Sequence, residues 1–186
     1  MAELFANISI GHENDWNVLE KRIIHAAQCH SDAIVISKAT PEITIPKNKK
    51  YVSIKSKWGH LPYLEVAKKS EIDETNVNKL NKLTEEIGIP VIWSITDVES
   101  GSWVLENTNC SDIKIHFDSR NDWDLWLFCR ERFNHTIIPY GNILETQKPK
   151  LWKADENITV YHAAYKMPSP IEALGLDKLE LLKEYC

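Results

Sequence analysis

Short apolar runs alternate with longer amphipathic runs along nearly the whole chain, and this alternation restricts the fold more than any other feature. The apolar runs are Leu4–Ile10, Ala33–Ser37 (AIVIS), Pro90–Ser94 (PVIWS), Asp112–Phe117 (DIKIHF), Thr136–Tyr140 (TIIPY) and Thr159–Ala164 (TVYHAA). AIVIS is too continuously apolar to leave one face in water, which predicts a strand covered on both sides. Between these runs Trp16, Leu19, Ile23, Ile24 and Ala27 recur at helical spacing behind Asn14 or Asp15 as N-cap. Further helices are expected over Glu74–Ile87, ended by Gly88, and over Asp97–Glu106, Trp123–Phe133 and Leu176–Tyr185. Strands alternating with helices indicate βαβ units around a parallel sheet. With 186 residues the chain fits a single domain, residues 1–186, at most a barrel cut short, because a closed eight-stranded barrel takes roughly 250. Two stretches break the rhythm. Residues 40–58 carry Pro41, Pro46 and five lysines from Lys47 to Lys57, read as a solvated loop, and residues 142–157 show no periodicity where a helix is due.

Charge narrows the function classes. Lys+Arg number 22 against 27 Asp+Glu, a net charge of −5, which argues against nucleic-acid coating because phosphate contacts draw on clustered positive charge. No apolar run approaches the roughly 20 residues that cross a bilayer, and MAELFANISIGHEND lacks the plan of a signal peptide. The expected compartment is cytoplasmic, with no nucleic-acid or membrane partner. Cys29, Cys110, Cys129 and Cys186 have no paired or zinc-like spacing and are read as reduced structural thiols.

In parallel α/β folds the chemistry gathers where strands run out into the following loops. Those positions hold His12 and Glu13, Lys38, Thr96 and Asp97, His116 and Asp118, Tyr140 and Asn142, and His162 with Tyr165. Lys114 is the most pointed of the candidates. It shares one face of its strand with Asp112 and His116, while Ile113, Ile115 and Phe117 take the other. A buried ammonium without an anion is costly, so Lys114 should hold a substrate anion or an acidic neighbour such as Asp112 or Asp118. His162, between Val160 and Ala164, reads either as a metal ligand or as a hydrogen-bonded core histidine.

Six segments, in order, resemble the sialic acid synthases (N-acylneuraminate synthases). FANISIGHEND is similar to their first strand, A-E-I-G-x-N-H-x-G, and SDAIVISKA to their second, G-A-D-A-V-K-F-Q. Pro62–Lys69 looks like the segment before their second barrel helix. GIPVIWS with Asp97-Val98-Glu99-Ser100 resembles their third strand and S-T-P-F-D-x-E-S turn. Asp112–Ile115 resembles Y-K-I-x-S, and Tyr161–Pro170 resembles L-H-C-x-x-x-Y-P-T-P. The resemblance implies an α/β fold, an incomplete TIM-type (β/α) barrel of about six parallel strands with surrounding helices. It also implies a place in sialic-acid-type surface carbohydrate biosynthesis. The family reaction condenses phosphoenolpyruvate with an N-acylated mannosamine-type sugar and releases phosphate. A divalent metal, manganese or magnesium, polarises the sugar aldehyde in that reaction. Carried over, Glu13 is the proton-transfer carboxylate, Lys114 is the fourth-strand lysine that holds the phosphoenolpyruvate anion, and His162 takes the metal position, with Lys38 the candidate to replace the missing second-strand lysine. His12, His116, Tyr140 and Tyr165 are the expected substrate contacts.

The departures are specific. Asn7 stands for the family glutamate, and Ile36 for the second-strand lysine, with Lys38 two residues on and on the same face as Ile36. Ile95-Thr96 replaces Thr-Pro, and Phe117 replaces a small hydroxyl residue. The segments corresponding to strands seven and eight, with the second metal histidine, and the C-terminal antifreeze-like domain have no counterpart in these 186 residues. The favoured reading is a non-catalytic or partner-dependent homologue. The alternatives are a diverged active synthase, or one half of a split synthase. Each expects a homo-oligomer or a second chain completing the barrel, since open strand edges invite pairing.

Overall fold

The computed structural model describes residues 3–140 and 156–162. The chain divides into two compact units, Met1–Cys110 and Ser111–Cys186.

The first unit opens with β1 (Phe5–Asn7), α1 (Trp16–Gln28) and β2 (Ala33–Lys38). Between β2 and β5 (Val91–Ile95) come α2 (Pro41–Thr44), the hairpin of β3 (Ser53–Ser56) and β4 (Gly59–Pro62), α3 (Tyr63–Ser70) and α4 (Glu74–Ile87). After β5, α5 (Val98–Asn107) completes the unit. β1 pairs parallel with β2, and β2 parallel with β5, with Ile36 beside Trp93 and Ser37 beside Ser94. The second unit holds β6 (Asp112–Ile115), a 3-10 turn at Phe117–Ser119, α6 (Trp123–Arg132), β7 (His135–Tyr140) and β8 (Ile158–His162). β6, β7 and β8 are likewise parallel neighbours. Six parallel strands with surrounding helices make the fold an incomplete TIM-type α/β barrel; the alternation predicts the parallel strands, and the family resemblance the incomplete barrel.

Local chemistry sets the helix ends. Asp15 caps α1, its carboxylate accepting from the backbone N–H of Asn17 at 3.0 Å and Val18 at 3.4 Å. Leu19, Ile23 and Ala26, spaced for one helical stripe, are the buried face of α1, which lies beside α4. Leu19 and Ile23 are fully enclosed, so truncating either to Ala removes about 2–5 kcal/mol. Gly88 ends α4 in the left-handed conformation, φ 76°, and returns its N–H to Thr84. α5 starts with a capping box between Asp97 and Ser100.

Two expectations need correction. The run Leu4–Ile10 forms a strand only over Phe5–Asn7, because Ser9 adopts φ 52° and turns the chain away. The region 40–58 is no plain loop. It contains α2 and β3, and its two-residue turn Lys57-Trp58 enters β4 through Gly59 at φ 97°. The expected helix over residues 176–185 lies outside the described residues, as do Ala163 and Ala164 of the last apolar run. No helix among the described residues is long and apolar enough to cross a membrane.

Candidate functional site

In the first unit the C-terminal ends of β1, β2 and β5 carry a dense polar network. The turn after β1 places Glu13 and Asn14 at φ 47° and 55°, a conformation that non-glycine residues adopt only at a cost. His12 is driven inward by this turn and is 1 % exposed. Its Nδ1 accepts the Asn14 N–H at 2.9 Å, which leaves the neutral ring's proton on Nε2. That Nε2 is buried without a partner among the described residues. Burial first, then the nearby charges of Arg22, Lys57 and Lys38, pull the imidazole down to about 4, so it is neutral at physiological pH. Glu13 remains at the surface, its carboxylate 3.5 Å from Lys57, which also donates to the Glu13 carbonyl at 2.9 Å.

Lys38 reaches the rim but is already committed. Ile36, Lys38, Trp93 and Ile95 share one sheet face by register, and Trp103 of α5 covers that face edge-on to Trp93 at 6.0 Å. The Lys38 ammonium lies 4.4 Å from the Trp103 ring centre, pairs with Glu71 at 3.2 Å and donates to the Ile72 carbonyl at 3.3 Å. Glu71 also accepts the Ala39 N–H at 3.1 Å, yet desolvation outweighs these contacts and keeps its carboxyl above the usual range. Asp97 is saturated too. It accepts from Thr40 N–H, the Thr40 and Thr96 hydroxyls, and Ser100 N–H, at 2.7–2.9 Å. Although burial alone raises its carboxyl, these donors together hold it below the usual range. Glu71 and Asp97 thus clamp the β2 exit loop, and neither carboxylate is spare.

The opposite face of the same strands was missed in the sequence. Ser37 and Ser94 are register partners there, and Ser9 shares a 3.1 Å hydrogen bond with Ser37. Ser94 Oγ is buried with no partner among the described residues. Two-residue alternation signals which serines share a face, but not that this hydroxyl is left unsatisfied.

In the second unit Ile113 and Ile115 are fully buried, and Lys114 occupies the other, half-open face, as strand alternation predicts. Its ammonium lies 5.4 Å from the Tyr161 ring centre. Among the described residues of this unit it has no ion-paired carboxylate, so the expected acidic neighbour is replaced by an aromatic face. Desolvation lowers the Lys114 pKa and pushes the Tyr161 phenol up to about 12. His116 Nδ1 accepts the Asp118 N–H at 3.3 Å, and burial outweighs Asp118 in lowering its pKa, so the 3.7 Å approach to Asp118 is no salt bridge at neutral pH. Backbone register sets Tyr140 beside His162 at the ends of β7 and β8, while Tyr165 lies outside the described residues. Among the described residues no three His, Cys, Asp or Glu side chains converge as metal ligands.

Comparison with known proteins follows the same lines. A search of curated proteins found no match. Among solved structures, an N-acetylneuraminic acid (sialic acid) synthetase from Leptospira borgpetersenii superposes with a TM-score of 0.80 at 16 % identity, over 98 % of this chain and 61 % of that one. The spore coat polysaccharide biosynthesis protein spsE of Bacillus subtilis gives 0.73 at 16 % identity, over 98 % and 49 %. A truncated 3-deoxy-D-arabino-heptulosonate 7-phosphate synthase from Thermotoga maritima gives 0.59 at 8 %, over 97 % and 60 %. At such identities these likenesses establish the fold, and this chain spans only about half to three-fifths of each relative. The NeuB family model matches residues 22–186, and with that match over most of its length the chain belongs to the NeuB family.

Proposed function

We propose that this chain serves sialic-acid-type carbohydrate biosynthesis as a homologue that keeps anion-binding elements of the synthase and needs a partner for turnover. The observation that carries this reading is Lys114, a desolvated ammonium resting on Tyr161 with no carboxylate in its own unit's described residues. Such a group is stabilised by an incoming carboxylate or phosphate, because the charge pair forms where water is scarce. In this reading Lys114 holds the phosphoenolpyruvate anion. Glu13 is the carboxylate available for proton transfer; His116, Tyr140 and Tyr165 contact the sugar. Lys38, tied to Glu71, positions the β2 loop instead of the substrate. Manganese or magnesium would belong at His162 with ligands from a second chain, where it would supply Lewis-acid polarisation of the sugar aldehyde.

The test is calorimetric titration of the whole chain with phosphoenolpyruvate, repeated with Lys114→Met. Saturable binding weakened at least about tenfold by the substitution supports the reading, that being the loss expected for one charge-assisted contact. Absence of binding in the wild type, or equal binding in the variant, overturns it. A thiobarbiturate assay with manganese and N-acetylmannosamine then separates the alternatives. Colour from this chain by itself identifies an active synthase. Colour only with a second polypeptide supplying the remaining strands identifies a split one.

A further inference from the structure

The turn after β1 and the start of α4, both in the first unit, are tied into one hydrogen-bonded cluster. Glu13 and Asn14 are consecutive non-glycine residues in the left-handed region, at φ 47° and 55°. Two local bonds close the turn, Glu13 N–H to the Ile10 carbonyl at 3.0 Å and Asp15 N–H to that of His12 at 2.8 Å. The rest of its support comes from α4. Asn76, 62 residues further along and only 8 % exposed, donates from Nδ2 to the Asn14 carbonyl at 3.0 Å and to its Oδ1 at 2.8 Å. Asn14 Nδ2 in turn donates to the Asp73 carboxylate at 2.9 Å, and Asn14 Oδ1 accepts the Asp73 N–H at 3.3 Å.

This departs from an ordinary helix start. Asp73 caps α4 by accepting the Asn76 N–H at 2.8 Å. The side chain three residues after a cap usually returns to the cap residue's own N–H. Here Asn14 takes that N–H, and the Asn76 amide reaches across to the turn instead. Asparagine is a poor helix former, so helix propensity does not account for its place in the first turn of α4.

What the turn controls is His12. Burial and nearby cations keep its ring uncharged at neutral pH, and an uncharged imidazole has two tautomers. Among the described residues the Asn14 N–H, 2.9 Å from Nδ1, is the group that selects between them, putting the proton on Nε2. That N–H bond exists because Asn14 is held left-handed. Without the Asn76 amide the turn is free to relax to negative φ, and the Asn14 N–H swings off the ring. We infer that Asn76 is a positioning residue: its amide holds residues 13–14 left-handed, fixes His12 as the Nε2–H tautomer and keeps Glu13 at the rim. The use of this positioning in catalysis rests on the proposed role of Glu13; the positioning itself does not.

The experiment reads the imidazole nitrogen shifts of the full chain, labelled with nitrogen-15 in its seven histidines, with the His12 signals assigned by their loss in His12→Gln. The wild type should show the Nε2–H tautomer alone. Asn76→Ala should show both tautomers, and its Asn14 amide should exchange with solvent at least about tenfold faster, the equivalent of one lost hydrogen bond. Asn14→Gly added to Asn76→Ala should restore the single tautomer, because glycine takes a positive φ without being held there. A role in packing alone predicts lower stability in Asn76→Ala with the tautomer unchanged, and no rescue by the glycine. Should Asn76→Ala disturb the start of α4, Asn76→Asp, which keeps the shape and loses both donors, decides by the same signals. Persistence of the Nε2–H tautomer alone in Asn76→Ala and Asn76→Asp, or a mixture that the glycine leaves unchanged, overturns the inference. Phosphoenolpyruvate takes no part in this measurement, so a failed titration at Lys114 leaves the positioning intact, and an unmoved tautomer overturns it whatever that titration shows.

Discussion

Replacing Lys38 by Met distinguishes a lysine that binds substrate from one that holds the fold. In the structure the Lys38 and Glu71 side chains are 11 % and 12 % exposed and 3.2 Å apart, so the pair is largely shielded from solvent. Removing one partner of a buried pair costs about 3–5 kcal/mol, and the small residual exposure together with the Ala39 N–H left to Glu71 places the loss near 3. Glu71 can escape part of this by taking up a proton. Its carboxyl is already raised by burial, and losing Lys38 raises it further. The sign follows. A carboxyl whose folded pKa exceeds its unfolded value binds more protons when folded, so stability falls as pH climbs through that interval. The deficit of Lys38→Met should therefore be largest at neutral pH and shrink toward about pH 5, leaving about 1–2 kcal/mol for the lost Ile72 hydrogen bond and Trp103 contact. Urea unfolding at both pH values, read by the emission of Trp93 and Trp103, measures it. Lys38→Met with Glu71→Leu should recover at least half the neutral-pH loss, because an apolar pair has no charge to strand. Strictly additive losses in the double variant, or a pH-independent change below about 0.5 kcal/mol in Lys38→Met, would refute the structural role.

Two further substitutions probe the turns that set the rim. The folded His12 pKa lies below the unfolded one, so its contribution is whole above about pH 6.5 and fades as pH falls toward 4; the shift is worth about 3 kcal/mol. Urea titrations across that range should show this slope, and His12→Gln should flatten it. Gly88→Ala meets no atom within 4 Å, so its cost is purely the backbone strain of a φ of 76°, about 1 kcal/mol. A thermal scan showing no destabilisation would contradict the left-handed cap.

Some of the site could be read from residue order and some could not. Strand alternation put Lys114 opposite Ile113 and Ile115, and the burial of those two isoleucines agrees. The same rule put Lys38 on the face of Ile36, but could not say that α5 covers that face or that Glu71, from beyond α3, meets the ammonium. The hairpin at residues 53–62 escaped notice because its strands are only four residues long with no buried residue, and its turn lacks the Asn-Gly or Asp-Gly signature. Its position after the first strand marked His12 as a candidate contact, while its burial arises from the positive-φ turn and from neighbours far along the chain.

Features decided within one turn of helix or one strand were written in the residues themselves: the caps at Asp15 and Gly88, the α1 stripe, the βα alternation. Capping and periodicity act over about four residues, so neighbouring side chains suffice to specify them. What tertiary structure alone decided was partnership. Lys38 meets Glu71 and Trp103, Asp97 meets Thr40, and Lys114 meets Tyr161, across separations that only the folded path closes. The charge state and availability of each group depend on those partners and on the water they exclude, because desolvation and Coulomb energy are properties of position in space.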